Sequence, residues 1–473
     1  MRCFGGLSVG LSDSVRSLFH RGGRKQKTGG RGVQAPVAEL LSIEPIAQEA
    51  KPPVNGLPGF KASAADHVDR RRADRFTNLR MKLRNAFTPS QPVVDRRMFA
   101  GRSDILRTMI GSIEDQRLHL VIYGDRGIGK TSLLQMLTEV AREARYLVVY
   151  SSCGATSNFQ ETFRAAASEI PLLFHSSYGP TTAEAESGST LAGLLPETFS
   201  PRQFADVCGK LTGTRVLIIL DEYDRCGSSE FRRDLAELIK FLSDRSGRVH
   251  LVIGGVAADL DELVEHIPSI RRNILAVRVP RMTDEEIRQL VVLGEGASGL
   301  TFVPEAIDFL VILARGWPYI ASLLCHHAGI SAIDSRRETV LASDVSMAVD
   351  ASLNELWGRM AKGVQNQVER LLAEDGGKLL AVLAGASLEA GGEFDVSDID
   401  RVAQNGAEGT SAKRLAEQLA TDRILIEMRD DAHGRRFAFV EDGLPPYLWF
   451  RGAKQKQQLR EAKAPAQGAA SNG

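Results

Sequence analysis

The sequence predicts an α/β protein: a parallel sheet with helices on both faces, then a helical segment and a smaller module of helices with a hairpin. Three observations predict this. Short apolar runs alternate with amphipathic helical patterns between residues 96 and 281, and bare apolar strands joined by helices pack as a parallel sheet covered on both sides. A glycine-rich turn, "GDRGIGKT" (124–131), links the first run to a helix. After "VPRM" (279–282) the strand patterns stop, and Thr283 with Glu286 in "TDEE" forms a capping box that opens a helical stretch.

The strands are "LHLVIY" (118–123), "YLVVYSS" (146–152), "VLIIL" (216–220), "VHLVIGG" (249–255) and "ILAVRV" (274–279). Between them lie helical patterns such as "FRRDLAELIKFL", with Phe231, Leu235, Leu238, Ile239 and Leu242 on one face. Residues 172–200 are too long and polar for an ordinary connection and read as an insertion or mobile loop. The helical stretch runs over 282–371. Residues 372–452 then read as three helices, near 378–387, 397–403 and 410–421, followed by strand, turn and strand in "ILIEM", "RDDAHG" and "RRFAFV". Three helices and a hairpin are the winged-helix arrangement.

Both ends are different in character. Residues 1–95 read as a basic, largely disordered arm containing one basic helical pattern over 65–87, and 453–473 as a disordered tail. The first 100 residues hold 18 Lys and Arg against 8 Asp and Glu, so a net +10 there balances −10 elsewhere. Such an arm can touch nucleic acid or an acidic membrane surface. The 473 residues have room for two or three cores, and 43% hydrophobic with 25% charged residues is ordinary for a soluble globular protein. The five scattered cysteines include no Cys-x-x-Cys pair, which argues against a zinc site or a disulfide framework and for a reducing compartment. No apolar run reaches the ~18 residues of a membrane span, and the N-terminus lacks a secretory apolar region. The expected location is cytoplasmic.

The chemistry starts at residues 124–131. Gly124, Gly129, Lys130 and Thr131 fit Gly-x-x-x-x-Gly-Lys-[Ser/Thr], with a strand before and a helix after. Glycines let backbone N–H groups turn inward around phosphate, and the helix N-terminus adds its dipole. The cradle spans Gly124, Asp125, Arg126, Gly127, Ile128, Gly129, Lys130, Thr131 and Ser132. Lys130 can reach the β- and γ-phosphates of ATP, and the Thr131 hydroxyl can ligate Mg²⁺. In "VLIILDEYD" (216–224), Asp221 stands at the strand's C-terminal end, where α/β sheets place ligands. It can hold Mg²⁺ through water, and Glu222 can orient or deprotonate an attacking water. The nine histidines show no metal-ligand spacing.

Over about residues 96–355 these features resemble the AAA+ superfamily of P-loop ATPases, in its origin-recognition-like and STAND-type branches, for which a winged helix is a usual companion. The resemblance implies a RecA-like core and several roles. Phe99 and Arg102, in "MFAGRSDILRTMI" (98–110), would border the adenine. Arg271 or Arg272, in "HIPSIRRNI", would be an arginine finger completing a neighbour's site, the alternative being a solvated basic pair. Pro318, in "ARGWPYIASLL", would start a helix whose preceding turn approaches the base, the alternative being an apolar core corner. Two positions depart from the pattern. The fourth strand ends in Gly254-Gly255-Val256, where the family has a polar γ-phosphate sensor, and the lid lacks the usual arginine unless Arg315 substitutes. Both departures favour a slow switch over a motor. The implied partners are ATP and either further copies of the chain or a protein client. DNA is the less favoured partner, because Lys413 and Arg414 stand beside Glu417 and form no clear basic stripe.

Overall fold

The computed structural model describes residues 75–89, 91–93, 95–125, 127–177, 188–255, 268–373, 376–390, 392–430, 434–441 and 443–463. Most of the basic arm therefore lies outside the described residues. Its helical pattern appears as α1 (Arg75–Ala86), with Leu79 and Leu83 buried and Phe87 just beyond the helix.

Five strands, β1 (His119–Tyr123), β2 (Leu147–Ser152), β3 (Val216–Asp221), β4 (Val249–Gly255) and β5 (Ile274–Arg278), form one sheet in the order β2-β3-β4-β1-β5. Every neighbouring pair is parallel. This is the RecA-like sheet. The alternation along β3 explains its layers: Leu217 and Ile219 enter the core under α2 (Ser103–Glu114) and α3 (Lys130–Glu143). Val216, Ile218 and Leu220 enter the core under α4 (Phe159–Ser168), α5 (Pro201–Cys208) and α6 (Ser229–Arg245). Side chains alternate faces along a strand, so a continuous apolar run fills both layers at once.

The insertion is more ordered than its polarity suggests. Leu191, Leu195 and Phe199 are buried in the α4–α6 layer, Leu172 is also buried, and Pro171 bridges Thr190. Its centre, 178–187, lies outside the described residues.

The helical segment contains α7 (Asp284–Ser298), α8 (Pro304–Ala314), α9 (Pro318–Asp334) and α10 (Ala342–Arg359), with a short parallel pair, β6 (Thr301–Phe302) and β7 (Thr339–Val340). The Thr283–Glu286 capping box forms as the sequence predicts. Phe87 anchors α1 here: its ring occupies the space that a Cβ on Gly294 of α7 would need, with only 1.9 Å between them. A helix of basic composition is thus fixed by its apolar minority.

The C-terminal module follows as α11 (Lys362–Ala373), α12 (Gly377–Ala390), β8 (Glu393–Asp395), α13 (Val396–Val402), α14 (Gly406–Thr421), β9 (Leu425–Asp430), β10 (Gly434–Phe439) and α15 (Leu444–Lys463). The hairpin is present, and β8 adds a third antiparallel strand in the order β8-β10-β9. At three residues, β8 is too short to give a periodic signal. The final helix α15 runs to Lys463, into the segment that reads as a structureless tail. Its first turns bury Leu444, Tyr447, Leu448 and Phe450, and Tyr447 stacks on Trp357 of α10 at 4.9 Å. One apolar core runs from Leu79 through the helical segment to Phe450. Among the described residues no helix is long and apolar enough to cross a membrane.

Two histidines are buried at the N-terminal edge of the sheet, His119 on β1 and His250 on β4, with ring centroids 6.0 Å apart. The Leu251 N–H donates to His119 Nδ1 (2.9 Å), which leaves Nε2 to donate to Ser243 Oγ (3.1 Å). His250 has no hydrogen-bond partner on either ring nitrogen among the described residues. Burial lowers the His119 pKa to about 3 and that of His250 to about 4, with Arg215 and Arg117 adding repulsion at His250. The folded state binds fewer protons than the unfolded state below the ordinary value of 6.5. Stability is therefore intact above that pH and falls as the pH drops from 6.5 towards 4. His250→Leu is expected to leave the urea midpoint at pH 7 unchanged or raised, because it removes an unsatisfied polar ring. It should also remove an acid-dependent loss on the order of 3 kcal/mol by pH 4. An unchanged pH slope in His250→Leu would show that His250 carries no such linkage.

Candidate nucleotide site

The connection from β1 to α3 lies at the C-terminal edge of the sheet, and Lys130, Thr131 and Ser132 form the first turn of α3. The glycines of the connection are required individually. Gly127 and Gly129 have φ of 72° and 95°, and a Cβ on Gly124 would sit 2.9 Å from the Val279 carbonyl oxygen. Gly129 is the N-cap of α3 and provides no side-chain cap, so the first N–H groups of the helix remain for a ligand. Ile128 is buried in the α2–α3 layer, so only its backbone can face a ligand. The Lys130 ammonium donates to the Gly124 and Asp125 carbonyl oxygens (2.7 and 3.0 Å), within the loop it is expected to serve. The Ser132 hydroxyl accepts the Val93 N–H (3.1 Å). Burial raises the Asp125 pKa, opposed by Arg281, Arg278 and Lys130. Arg126 lies outside the described residues.

The acidic pair sits beside this loop. Asp221 is 4% exposed at the end of β3. Its Oδ2 accepts from Tyr150 Oη (2.7 Å) and its Oδ1 from the Glu222 N–H (2.8 Å). No Lys, Arg or His among the described residues pairs with it. A buried carboxylate without a cationic partner is costly. Asp221 and the Thr131 hydroxyl are hard oxygen donors that would hold Mg²⁺, a cation that takes one or two protein oxygens and completes its shell with water and phosphate. Glu222 adopts a left-handed conformation, φ 54°. Its Oε2 accepts from Ser152 Oγ (2.9 Å) and pairs with Arg225 (3.1 Å). As a proton acceptor for water it would first have to leave these partners.

The glycine at the end of β4 also has a steric cause. A Cβ on Gly254 would lie 2.7 Å from Leu134 Cδ1 and 3.0 Å from Asp221 Oδ1. A side chain at this position would have to displace Leu134 of α3 and press on the Asp221 carboxylate.

The turn before α9 closes over the loop. Pro318 is the first residue of α9, as the sequence predicts. Its Cγ lies 3.7 Å from where a Cβ on Gly129 would be, while Trp317 and Tyr319 flank Gly127 at 3.8 and 3.5 Å. Gly316 (φ 80°) could not carry a side chain, because the Met282 carbonyl oxygen is 2.4 Å from its Cβ position. The turn therefore touches the phosphate loop itself. Arg281 stacks over the Trp317 ring. Arg315, the possible substitute for the missing lid arginine, is engaged on the far side: it pairs with Glu389 of α12 (2.8 Å) and lies 4.4 Å over the Trp449 ring of α15.

Phe99 is half-buried against the α2–α3 layer. Arg102 is 7% exposed, and its guanidinium crowds Gly129, with Nη1 2.7 Å from the Cβ position. Nη2 donates to the Pro280 carbonyl (3.1 Å), and Nε has no partner among the described residues. Burial lowers its pKa to about 10, against the attraction of Glu286. Glu286, Gln289 and Pro280 fasten Gly101 and Arg102 to the start of the helical segment. Arg271 and Arg272 are exposed in a 3₁₀ turn (Pro268–Asn273) before β5. Because β5 and β1 are parallel, both arginines stand at the edge opposite the chain's own phosphate loop. They are not brought to the site within one chain. Sequence reasoning missed Tyr150, Ser152 and Arg225, whose roles depend on neighbouring strands or on the left-handed turn at Glu222.

Known folds are similar over most of this architecture. The Orc1 protein of Aeropyrum pernix, solved in complex with DNA, is 17% identical, with 80% of this chain and 98% of that chain covered at a TM-score of 0.40. A Walker-type ATPase of Pyrococcus abyssi is 16% identical, with 77% and 99% covered at 0.46. Cdc6p of Pyrobaculum aerophilum is 15% identical, with 80% and 99% covered at 0.40. No curated protein matches the chain. The family described as novel STAND NTPase 1 matches residues 86–434, from the end of α1 to the start of β10 and across every part of the site. The chain belongs to that family of STAND NTPases.

Proposed function

We propose that this protein binds ATP with Mg²⁺ at the loop 124–132, hydrolyses it slowly, and uses the bound nucleotide to control the helical lid and the C-terminal module. The observation that carries this reading is the contact of the turn 316–318 with Gly127 and Gly129. A ligand in the loop must meet the turn, and the residue just before it, Arg315, is held by Glu389 and Trp449 of the C-terminal module. In this mechanism Lys130 exchanges its loop carbonyls for phosphate oxygens, and Arg102 adds a buried positive charge beside the α3 N-terminus. Phe99, Trp317 and Pro318 shield the base side. Thr131 and Asp221 hold the ion, which neutralises phosphate charge when bound. Glu222 leaves Ser152 and Arg225 to align water. The glycine at position 254, which provides no sensor side chain, supports a slow cycle.

The winged-helix reading of the C-terminal module rests on its three helices and antiparallel sheet. A DNA-gripping role for it is disfavoured by its own charges: Lys413 pairs with Asp400, Arg435 with Glu417 and Glu427, and Arg436 with Glu393. The client is therefore read as protein, either a further copy of this chain or another polypeptide, in the cytoplasm. Without hydrolysis the same geometry would serve a nucleotide-dependent scaffold.

Lys130→Ala should lose ATP binding while keeping its thermal midpoint. Glu222→Gln should bind ATP as wild type does and lose ~10²–10⁴-fold in single-turnover hydrolysis. Wild-type binding and turnover in both variants would sink the proposal, and tight ATP binding without hydrolysis in the wild type would hand the case to the scaffold. If Arg271 or Arg272 completes a neighbour's site, its Ala variant should bind ATP yet hydrolyse poorly, and mixing it with Lys130→Ala should restore part of the activity. Full activity of both Ala variants at every protein concentration would exclude a trans-acting finger. Arg315→Ala should release the C-terminal module and speed nucleotide dissociation ~5–10-fold, corresponding to about 1–1.4 kcal/mol. Unchanged dissociation would uncouple Arg315 from the nucleotide.

A further inference from the structure

The second strand of the sheet has a function that neither the motif nor the family match assigns. Tyr150 and Ser152 are two residues apart on β2, so they share a face. That face presents two hydroxyls to the two consecutive acids of the neighbouring strand. Ser152 Oγ reaches Glu222 Oε2 (2.9 Å), and Tyr150 Oη reaches Asp221 Oδ2 (2.7 Å). In register Tyr150 stands opposite Ile219, so its long side chain runs along the sheet and meets Asp221 diagonally. Gln135 of α3, the helix that carries the phosphate loop, lies beside the same phenol.

We propose that Tyr150 is the positioning residue for the metal-holding carboxylate. It fixes the rotation of Asp221 so that the carboxylate faces the cation. This inference rests on the Mg²⁺-ATP reading above. Asp221 could otherwise turn only against the Glu222 N–H and the crowded Gly254. Neither of those contacts holds Oδ2. Burial, followed by the hydrogen bond to Asp221, pushes the Tyr150 pKa well above the ordinary tyrosine range, so the phenol remains a donor. Mg²⁺ demands near-ideal octahedral geometry, so a carboxylate free to rotate binds it less well. Outer-shell partners of ligating carboxylates are typically worth 10–100-fold in metal affinity.

The test is Tyr150→Phe in the full chain, which keeps the ring and removes the hydroxyl. Binding of a fluorescent ATP analogue is titrated first without metal and then with Mg²⁺. The expected result is metal-free binding like wild type and a Mg²⁺ half-saturation point raised ~10–100-fold. In an Asp221→Asn background the same substitution should add nothing. An unchanged Mg²⁺ midpoint in Tyr150→Phe would overturn the inference. So would an equal loss of metal-free binding, which marks a merely structural role, or full additivity with Asp221→Asn. If the wild type itself shows no metal-assisted nucleotide binding, the Mg²⁺-ATP reading fails and this inference falls with it.

Discussion

The contact between two glycine turns, 127–129 after β1 and 316–318 before α9, is the constraint on which the rest of the molecule depends. Each turn needs backbone conformations with positive φ, at Gly127, Gly129 and Gly316. At Gly316 the Met282 carbonyl leaves no room for a side chain, and a Cβ on Gly127 or Gly129 would lie within van der Waals reach of Tyr319, Trp317 or Pro318. Because the two turns lie this close, a movement of the helical segment would change the mouth of the phosphate loop. The apolar core that continues from that segment to Phe450 carries the constraint onward into the C-terminal module.

The charges near this contact complete the arrangement. Among the described residues Arg102 is buried beside the helix N-terminus with an unsatisfied Nε, Asp221 is buried without a cationic partner, and Asp125 is desolvated near Arg281, Arg278 and Lys130. Buried unpaired charge is expensive unless a ligand compensates it. A triphosphate with a divalent cation offers the two complementary charges at once, negative for Arg102 and Lys130, positive for Asp221.

Much of this was legible in the sequence, unevenly and for physical reasons. The five parallel strands, the phosphate loop, the acidic pair, the Thr283 capping box and the helix start at Pro318 all announce themselves locally, through apolar runs, glycine spacing and capping chemistry. What escaped depends on contacts across the sheet or between segments. Tyr150 and Ser152 gain meaning only from the register of β2 on β3. The steric reason for Gly254 lies in α3 and Asp221. The strand β8 has three residues, and α15 buries its apolar first turns beside a polar continuation that resembles a tail. Arg315, considered in sequence as a phosphate-side arginine, faces Glu389 and Trp449 because the C-terminal module packs against that corner.

The most direct test of a nucleotide-governed lid is hydrogen–deuterium exchange of the full chain with and without Mg²⁺-ATP. Peptides covering 124–134 and 216–226 should become protected, and those covering 314–324 and 383–393 should change in the same titration, with the same midpoint. Protection at the phosphate loop with no change at 314–324 or 383–393, or no change anywhere, would contradict the coupling of nucleotide to lid.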